Sequence, residues 1–210
     1  MNILNAIKER RSINFFDPDR TIPDATINEL LELANLSPSS LNLQPWEVVV
    51  VTDPGRKAIL RKCAYDQPKV TEASATLIII ANPGAIEKNV DNMVKSWLDL
   101  GYIKPEAAAS TRQMPFNSHG DKDSIGRKFF AIKNTAFFAM SLMIAAKGLG
   151  LETHPMDGFS ADQIKSEFNI PEDRIIPLLI CVGYLKPGVT LLPRAWRRDL
   201  KSFVKFNTFN

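Results

Sequence analysis

The chain has 210 residues, of which 45% are apolar and 23% charged, with a net charge of +3. That is the make-up of an ordinary soluble globular protein and suits one core better than two very small ones. It excludes membrane-spanning apolar runs, because the longest pure stretches, "LIII" and "VVVV", are strand-sized.

The N-terminus "MNILNAIKERR" carries no long apolar stretch followed by a small-residue cleavage site, so no secretory signal is expected. Ile3, Leu4 and Ile7 within it stand at helical spacing. A clearer helix follows "IPD", where Ile27, Leu30, Leu31 and Ala34 repeat at i, i+3, i+4, i+7. "WEVVVVTD" reads as a strand, then Asp53 caps a helix opened by Pro54, with Ile59 and Leu60 on its inner face. "ATLIIIAN" reads as a second strand, apolar on both faces and so covered on both.

Between residues 83 and 123 the pattern weakens. "VDNMVKSWLDLGY" and "PEAAASTRQM" suggest helical pieces broken at Gly101 and Pro105, and this stretch is expected to be an insertion or lid. Trp97, Phe116 and Phe129 could serve as lid aromatics, although core packing suits each better. The strongest helix runs from Gly126 to Lys147, apolar around most of its circumference and ended by Gly148 or Gly150. "SADQIKSEF" opens with a capping-box pair, Ser160 and Gln163, and "IIPLLICVGYL" is a third strand. The expected class is α+β, a single domain over residues 1–210 with a central sheet covered by helices.

Cys63 and Cys181 have no second Cys or His at metal spacing and read as reduced, buried thiols of a cytoplasmic protein. No dinucleotide fingerprint, Walker loop or nucleophile elbow is present; Gly148-Leu149-Gly150 follows a helix instead of opening one. Only His119 and His154 are available for imidazole chemistry, and His154, before Pro155, reads as a loop residue. A chain without an evident acid–base set is suited to leave its chemistry to a cofactor.

Four polar constellations stand out. Arg10, Arg11 and Ser12, with Asn14 beyond them, offer guanidinium forks suited to phosphate, though a basic helix end would look the same. "LSPSSLNLQPW" crowds Ser37, Ser39, Ser40, Asn42 and Gln44 between Pro38 and Pro45, which is either turn chemistry or a stiffened polar grip. Asp66, Gln67 and Lys69 precede the second strand. "HPMDGF" contains Gly158, where backbone can approach a ligand closely, or simply turns before a helix. The C-terminal stretch from Lys186 adds Arg194, Arg197, Arg198, Lys201 and Lys205 against one acid, Asp199, interleaved with Leu191, Leu192, Trp196, Leu200, Phe203, Val204 and Phe206. That interleaving suits an ordered segment more than a free nucleic-acid-binding arm.

Taken in this order, "RRS", "SPSSLNLQPWEVVVV", "PMDGF" and the terminal arginines resemble the nitroreductase family of flavin mononucleotide (FMN) enzymes, across nearly the whole chain. The resemblance implies a mostly antiparallel sheet in an intertwined homodimer with two flavins at the interface. It also implies electron transfer from NADH or NADPH to nitroaromatic, quinone or enone-type acceptors by a ping-pong mechanism.

Carried over to this chain, Arg10, Arg11 and Ser12 would hold the ribityl phosphate and the flavin's polar edge, joined by Arg194 and by Arg197 or Arg198. Pro38, Ser39, Ser40 and Asn42 would reach the flavin from the second copy. Lys69, with Asp66 or Gln67, would meet the pyrimidine side, and Asn14 stands where relatives often carry a second basic residue. Pro155, Met156, Asp157 and Gly158 would back the ring, with a main-chain N–H of Asp157 or Gly158 toward N5. On this basis no protein side chain is catalytic and both histidines are dispensable to within several-fold. Flavin-fragmenting or dehalogenating relatives, and a non-catalytic flavin-binding module, are the alternative readings.

Overall fold

The computed structural model describes residues 2–209. Helix α1 (Ile3–Glu9) starts where the Asn2 side chain accepts the Asn5 N–H at 2.9 Å, and α2 (Asp24–Asn35) buries Ile27, Leu30 and Ala34, the periodic face. Strands β1 (Trp46–Val51), β2 (Ala75–Ala81), β3 (Glu152–Met156) and β4 (Ile175–Gly183) form one sheet in the order β1-β2-β4-β3, antiparallel throughout.

Central strand β2 is buried along its whole length, as its unbroken apolar sequence requires. Ile78 and Ile80 face a core with Leu60 of α3 (Pro54–Cys63) and Ile164 of α8 (Ala161–Phe168). Leu77 and Ile79 face the other core, made with Leu30 of α2 and with Phe138 and Leu142 of α7 (Ile125–Gly148). The expected caps are in place: Asp53 accepts the Arg56 N–H at 2.8 Å and Ser160 the Gln163 N–H at 3.4 Å.

Strand β3 corrects the reading of "THPMDGF" as loop and turn. Pro155 cannot donate to a ladder, but β3 is the edge strand of the sheet, bridged on its outer side only at Thr153, and at such an edge a proline is tolerated. His154 is therefore a strand residue, directly opposite Cys181.

Helix α7 is long and apolar enough to cross a membrane by length and composition, yet half of its most apolar window is buried inside the fold. Phe130, Ala131, Phe138 and Leu142 form that buried side, while Phe129 (69% exposed), Phe137 and Met140 are open. Phe129 thus corrects the expectation of a core role, whereas Trp97 and Phe116 do pack against a third apolar cluster, which includes Leu43, Ile86 and Phe130. The helix ends at Gly148, and Gly150, at φ +78°, takes the left-handed turn that a side chain would resist.

The 83–123 stretch is more regular than its sequence suggested. Helix α5 (Ala85–Asp99) starts five residues before Val90, and α6 (Ala108–His119) follows a short 3₁₀ turn. Ile86, Val90 and Met93 of α5 pack on Leu43, Phe130 and Ala131. Arg127, fully buried on α7, binds both ends of the stretch: Nη1 donates to the Pro83 carbonyl (3.0 Å) and the Glu87 carboxylate (2.8 Å), and Nη2 to the Gly120 carbonyl (2.6 Å).

Gly183 closes β4 where nothing larger fits. A Cβ there would stand 2.9 Å from the ring of fully buried Phe16 and 3.0 Å from the Ser74 backbone nitrogen. Gly183→Ala should therefore destabilise the fold by about 1–3 kcal/mol, read as a lower urea midpoint at unchanged m. An unshifted midpoint would show that Phe16 has room to move aside.

Candidate functional site

The site begins where α1 stops. The Arg10 N–H still donates to Ala6, but Arg10 itself leaves helical geometry (φ −52°, ψ 126°), and the chain then runs extended beside β3. Ser12 bridges to Thr153, and the Ile13 N–H donates to the Thr153 carbonyl at 3.2 Å. The C-terminal segment returns to the same place. Arg11 Nη1 and Nη2 donate to the carbonyls of Leu192 (3.0 Å) and Pro193 (3.4 Å), and Arg194 Nη2 donates to those of Lys8 (2.5 Å) and Arg10 (3.1 Å).

Two basic segments more than 180 residues apart thus meet at one point. Burial, and then repulsion from Arg194, Arg197 and Arg11, push the Arg10 guanidinium below its ordinary pKa; only Glu152 opposes them. Glu152 is itself paired with Lys147 at 2.5 Å. Arg10 Nη1 is buried with no hydrogen-bond partner. One carboxylate, shared with Lys147, does not balance four arginines, and a phosphate group would supply both the missing charge and an acceptor for Nη1. Of the two arginines left open by sequence, both hydrogen-bond within the tail, Arg197 to the Ala195 and Trp196 carbonyls and Arg198 to Ser202, but only the charge of Arg197 is felt at Arg10.

A second group gathers at the end of β3. Lys69, opening the short helix α4 (Lys69–Glu72), donates to Gln67 Oε1 at 3.2 Å, and Gln67 Nε2 donates to the Gly158 carbonyl at 2.8 Å. Asp66 instead pairs with Arg61, so Gln67 is the partner of Lys69. A Cβ on Gly158 would meet Gln67 Nε2 at 2.9 Å, so the close approach at this glycine is to the Gln67 side chain, where a ligand was expected. The Met156 side chain is buried in the core against Cys181, which leaves only its backbone for a ligand. Pro155 pairs in register with Ile180, while Asp157 and Asn14 are exposed.

The serine-rich loop lies elsewhere. Leu41, Asn42 and Gln44 all hold positive φ, and Ser39 Oγ accepts the Gln44 N–H at 2.9 Å, which fixes the turn. The Ser40 N–H donates to Asn134 of α7 (3.0 Å), and Ser40 Oγ meets His119 Nε2 of α6 at 3.2 Å. Burial first, then Lys133 and Arg127, hold His119 below its ordinary pKa. Pro38 and Asn42 remain exposed. This loop leads into β1, whereas Arg10–Ser12 and Lys69 gather at β3, the opposite edge of the sheet. Three strand spacings separate those edges, about 14 Å. One copy therefore brings three constellations together and leaves the loop apart.

Sequence reasoning missed His154, whose ring lies between the Ile13 carbonyl (2.7 Å) and Lys69 (3.3 Å). Its signal was its position immediately before "PMDG". It missed Asn134 and His119 as supports of Ser40 too, because both sit in helices far along the chain.

The family model described as "Nitroreductase family" matches residues 7–184, a span that includes β1 to β4 and all four polar constellations. The chain belongs to the nitroreductase family. Among its relatives, MhqN of Bacillus subtilis (strain 168), assigned as an NAD(P)H nitroreductase, is 30% identical over 200 residues, or 95% of this chain and 96% of that one. The crystal structure of YdfN from Bacillus subtilis, assigned to the nitroreductases, superposes with a TM-score of 0.90 at 28% identity over 97% of each chain. A protein of Exiguobacterium sibiricum 255-15, assigned to the nitroreductases and solved in complex with FMN, gives 0.84 at 25% identity over 98% of this chain and 97% of that one. The terminal arginines lie beyond the matched span, so the place of Arg194 in the site rests on its contacts with Lys8 and Arg10, and that of Arg197 on its charge near Arg10. As a nitroreductase-family member the chain is an oxidoreductase of α+β fold.

Proposed function

We propose that this chain is an FMN-dependent oxidoreductase that passes electrons from NADH or NADPH to nitroaromatic, quinone or enone-type acceptors in a ping-pong cycle. It works as a cytoplasmic homodimer with two shared flavin sites. The observation that carries the reading is Arg10 Nη1, buried without a hydrogen-bond partner on a half-buried side chain that faces Arg194 and Arg197, with Glu152 as its one countercharge. The nicotinamide donor follows the name of MhqN, and the flavin follows the Exiguobacterium sibiricum complex.

In this reading Arg10, Arg194 and Arg197, with Ser12, hold the phosphate, and Arg11 docks the tail that carries two of them. Lys69 and Gln67 meet the pyrimidine side, where a positive charge favours an electron-rich ring. Backbone from Pro155 to Gly158 backs the ring. When bound, FMN supplies the redox chemistry, taking reducing equivalents from the nicotinamide in one half-reaction and giving them to the acceptor in the next. The protein contributes position, charge and exclusion of water. The 83–123 insertion is read as the part that selects the acceptor.

The opposite-edge placement of the 38–42 loop supports a second copy, since its exposed Asn42 amide then has a flavin to reach. So does the surface. Ile3, Leu33, Ile144 and Leu149 line an apolar groove of about 430 Å³ between α1, α2 and α7, and Phe137 and Met140 on α7 are open. Past Leu191 the tail exposes Leu192, Trp196 (80%), Leu200, Phe203 and Phe206, apolar cover with no core beneath it. Sedimentation of the FMN-loaded protein should give a dimer with one flavin per chain. A monomer that keeps stoichiometric FMN would contradict the shared site.

A further inference from the structure

His154 sits at the junction of three constellations. Its Nδ1 is 2.7 Å from the Ile13 carbonyl, directly after Ser12. A carbonyl can only accept, so Nδ1 carries the proton and Nε2 presents a lone pair. Lys69 Nζ, 3.3 Å from Nε2, can only donate, which agrees with that tautomer. The ammonium's second acceptor is Gln67 Oε1 at 3.2 Å, and the Gln67 amide continues to the Gly158 carbonyl. The chain Ile13–His154–Lys69–Gln67–Gly158 thus links the segment after "RRS", the "DQPK" stretch and the "PMDG" turn.

Both acceptors that hold Lys69 are neutral. A carboxylate there would orient the ammonium equally well but cancel its charge. A neutral imidazole and an amide fix its direction and leave the whole charge for a ligand. We propose that His154 is a positioning residue of the flavin site: as its Nδ1–H tautomer it aims the Lys69 ammonium, and on protonation it releases it. The proposal rests on the reading of Lys69 as a flavin contact.

The surroundings support a neutral ring near neutral pH. Burial, and then Lys69, hold the imidazole below its ordinary pKa, and the hydrogen bond to Ile13 only partly offsets them. Lys69 of α4 is the charged group facing it. Cys181, opposite on β4, is a thiol that burial pushes up to about 12, so it offers no anion to stabilise an imidazolium. Toward acid, Nε2 gains a proton, the acceptor disappears, and two cations face each other across about the same distance.

Two measurements test this, one without flavin. In the apoprotein, nitrogen-15 NMR of the His154 ring should show protonated Nδ1 and free Nε2, with titration below the ordinary histidine range. Lys69→Met should raise that titration point. In FMN titrations near neutral pH, His154→Phe should weaken binding about three- to tenfold, as should Lys69→Met. His154→Gln, which keeps an acceptor, should stay within about twofold, and adding His154→Phe to Lys69→Met should lose nothing further. The parent's affinity should fall toward acid more steeply than that of His154→Gln.

Parent-like affinity in His154→Phe, with Lys69→Met weakened, would overturn the positioning role and leave Lys69 in the flavin site. An Nε2-protonated ring would overturn it as well. Unchanged FMN affinity in Lys69→Met would remove both the flavin reading of Lys69 and this proposal.

Discussion

Arg127→Met should destabilise the fold by about 3 kcal/mol. Removing one partner of a buried, hydrogen-bonded charge set typically costs about 3–5 kcal/mol, because the remaining polar groups are stranded. Here the stranded groups are the Pro83 and Gly120 carbonyls and Glu87. The Glu87 side chain is 45% exposed and can rehydrate, which places the expectation at the lower end. Methionine nearly fills the volume, so the loss reports polar groups more than a cavity. Urea unfolding of the apoprotein measures it. A loss under about 1 kcal/mol would mean that the 83–123 stretch holds its place without Arg127.

Arg10→Ala should separate stability from binding. In the apoprotein Arg10 is half-buried among Arg194, Arg197 and Arg11, and its charge opposes the folded state, so removing it should leave the melting temperature unchanged or slightly raised. FMN affinity should nevertheless fall about tenfold or more, since a charge-assisted contact contributes about 1.5–3 kcal/mol. Fluorescence titration of the apoprotein with FMN measures the loss, which should shrink when riboflavin, lacking the phosphate, is the ligand. Equal FMN affinity in Arg10→Ala and the parent would reduce Arg10 to a helix-end charge.

Most of the scaffold was legible because its patterns are strong. Ile27, Leu30 and Ala34 repeat at helical spacing, "LIII" has no polar interruption, and Asp53 and Ser160 announce the helices they cap. Strand β3 was not legible, because Pro155 and His154 break a five-residue run that is held extended by β4 on one side and by the Ser12–Ile13 segment on the other. The site followed the same division. The residue types at Arg10, Lys69 and Gly158 signalled their chemistry, but their partners lay far along the chain. Nothing local showed that Arg194 would fold back onto Arg10, that Gln67 rather than Asp66 would hold Lys69, or that the Met156 side chain would turn into the core. Arg127 was missed because a lone arginine in an apolar helix gives no sign of what it binds.

The most direct test of the function is anaerobic mixing of the FMN-loaded protein with NADH and, separately, with NADPH, followed by a nitroaromatic, a quinone and an enone in turn. The flavin absorbance should bleach within seconds with at least one nicotinamide and return with at least one acceptor. FMN bound stoichiometrically, yet left oxidised by both nicotinamides, would contradict the account.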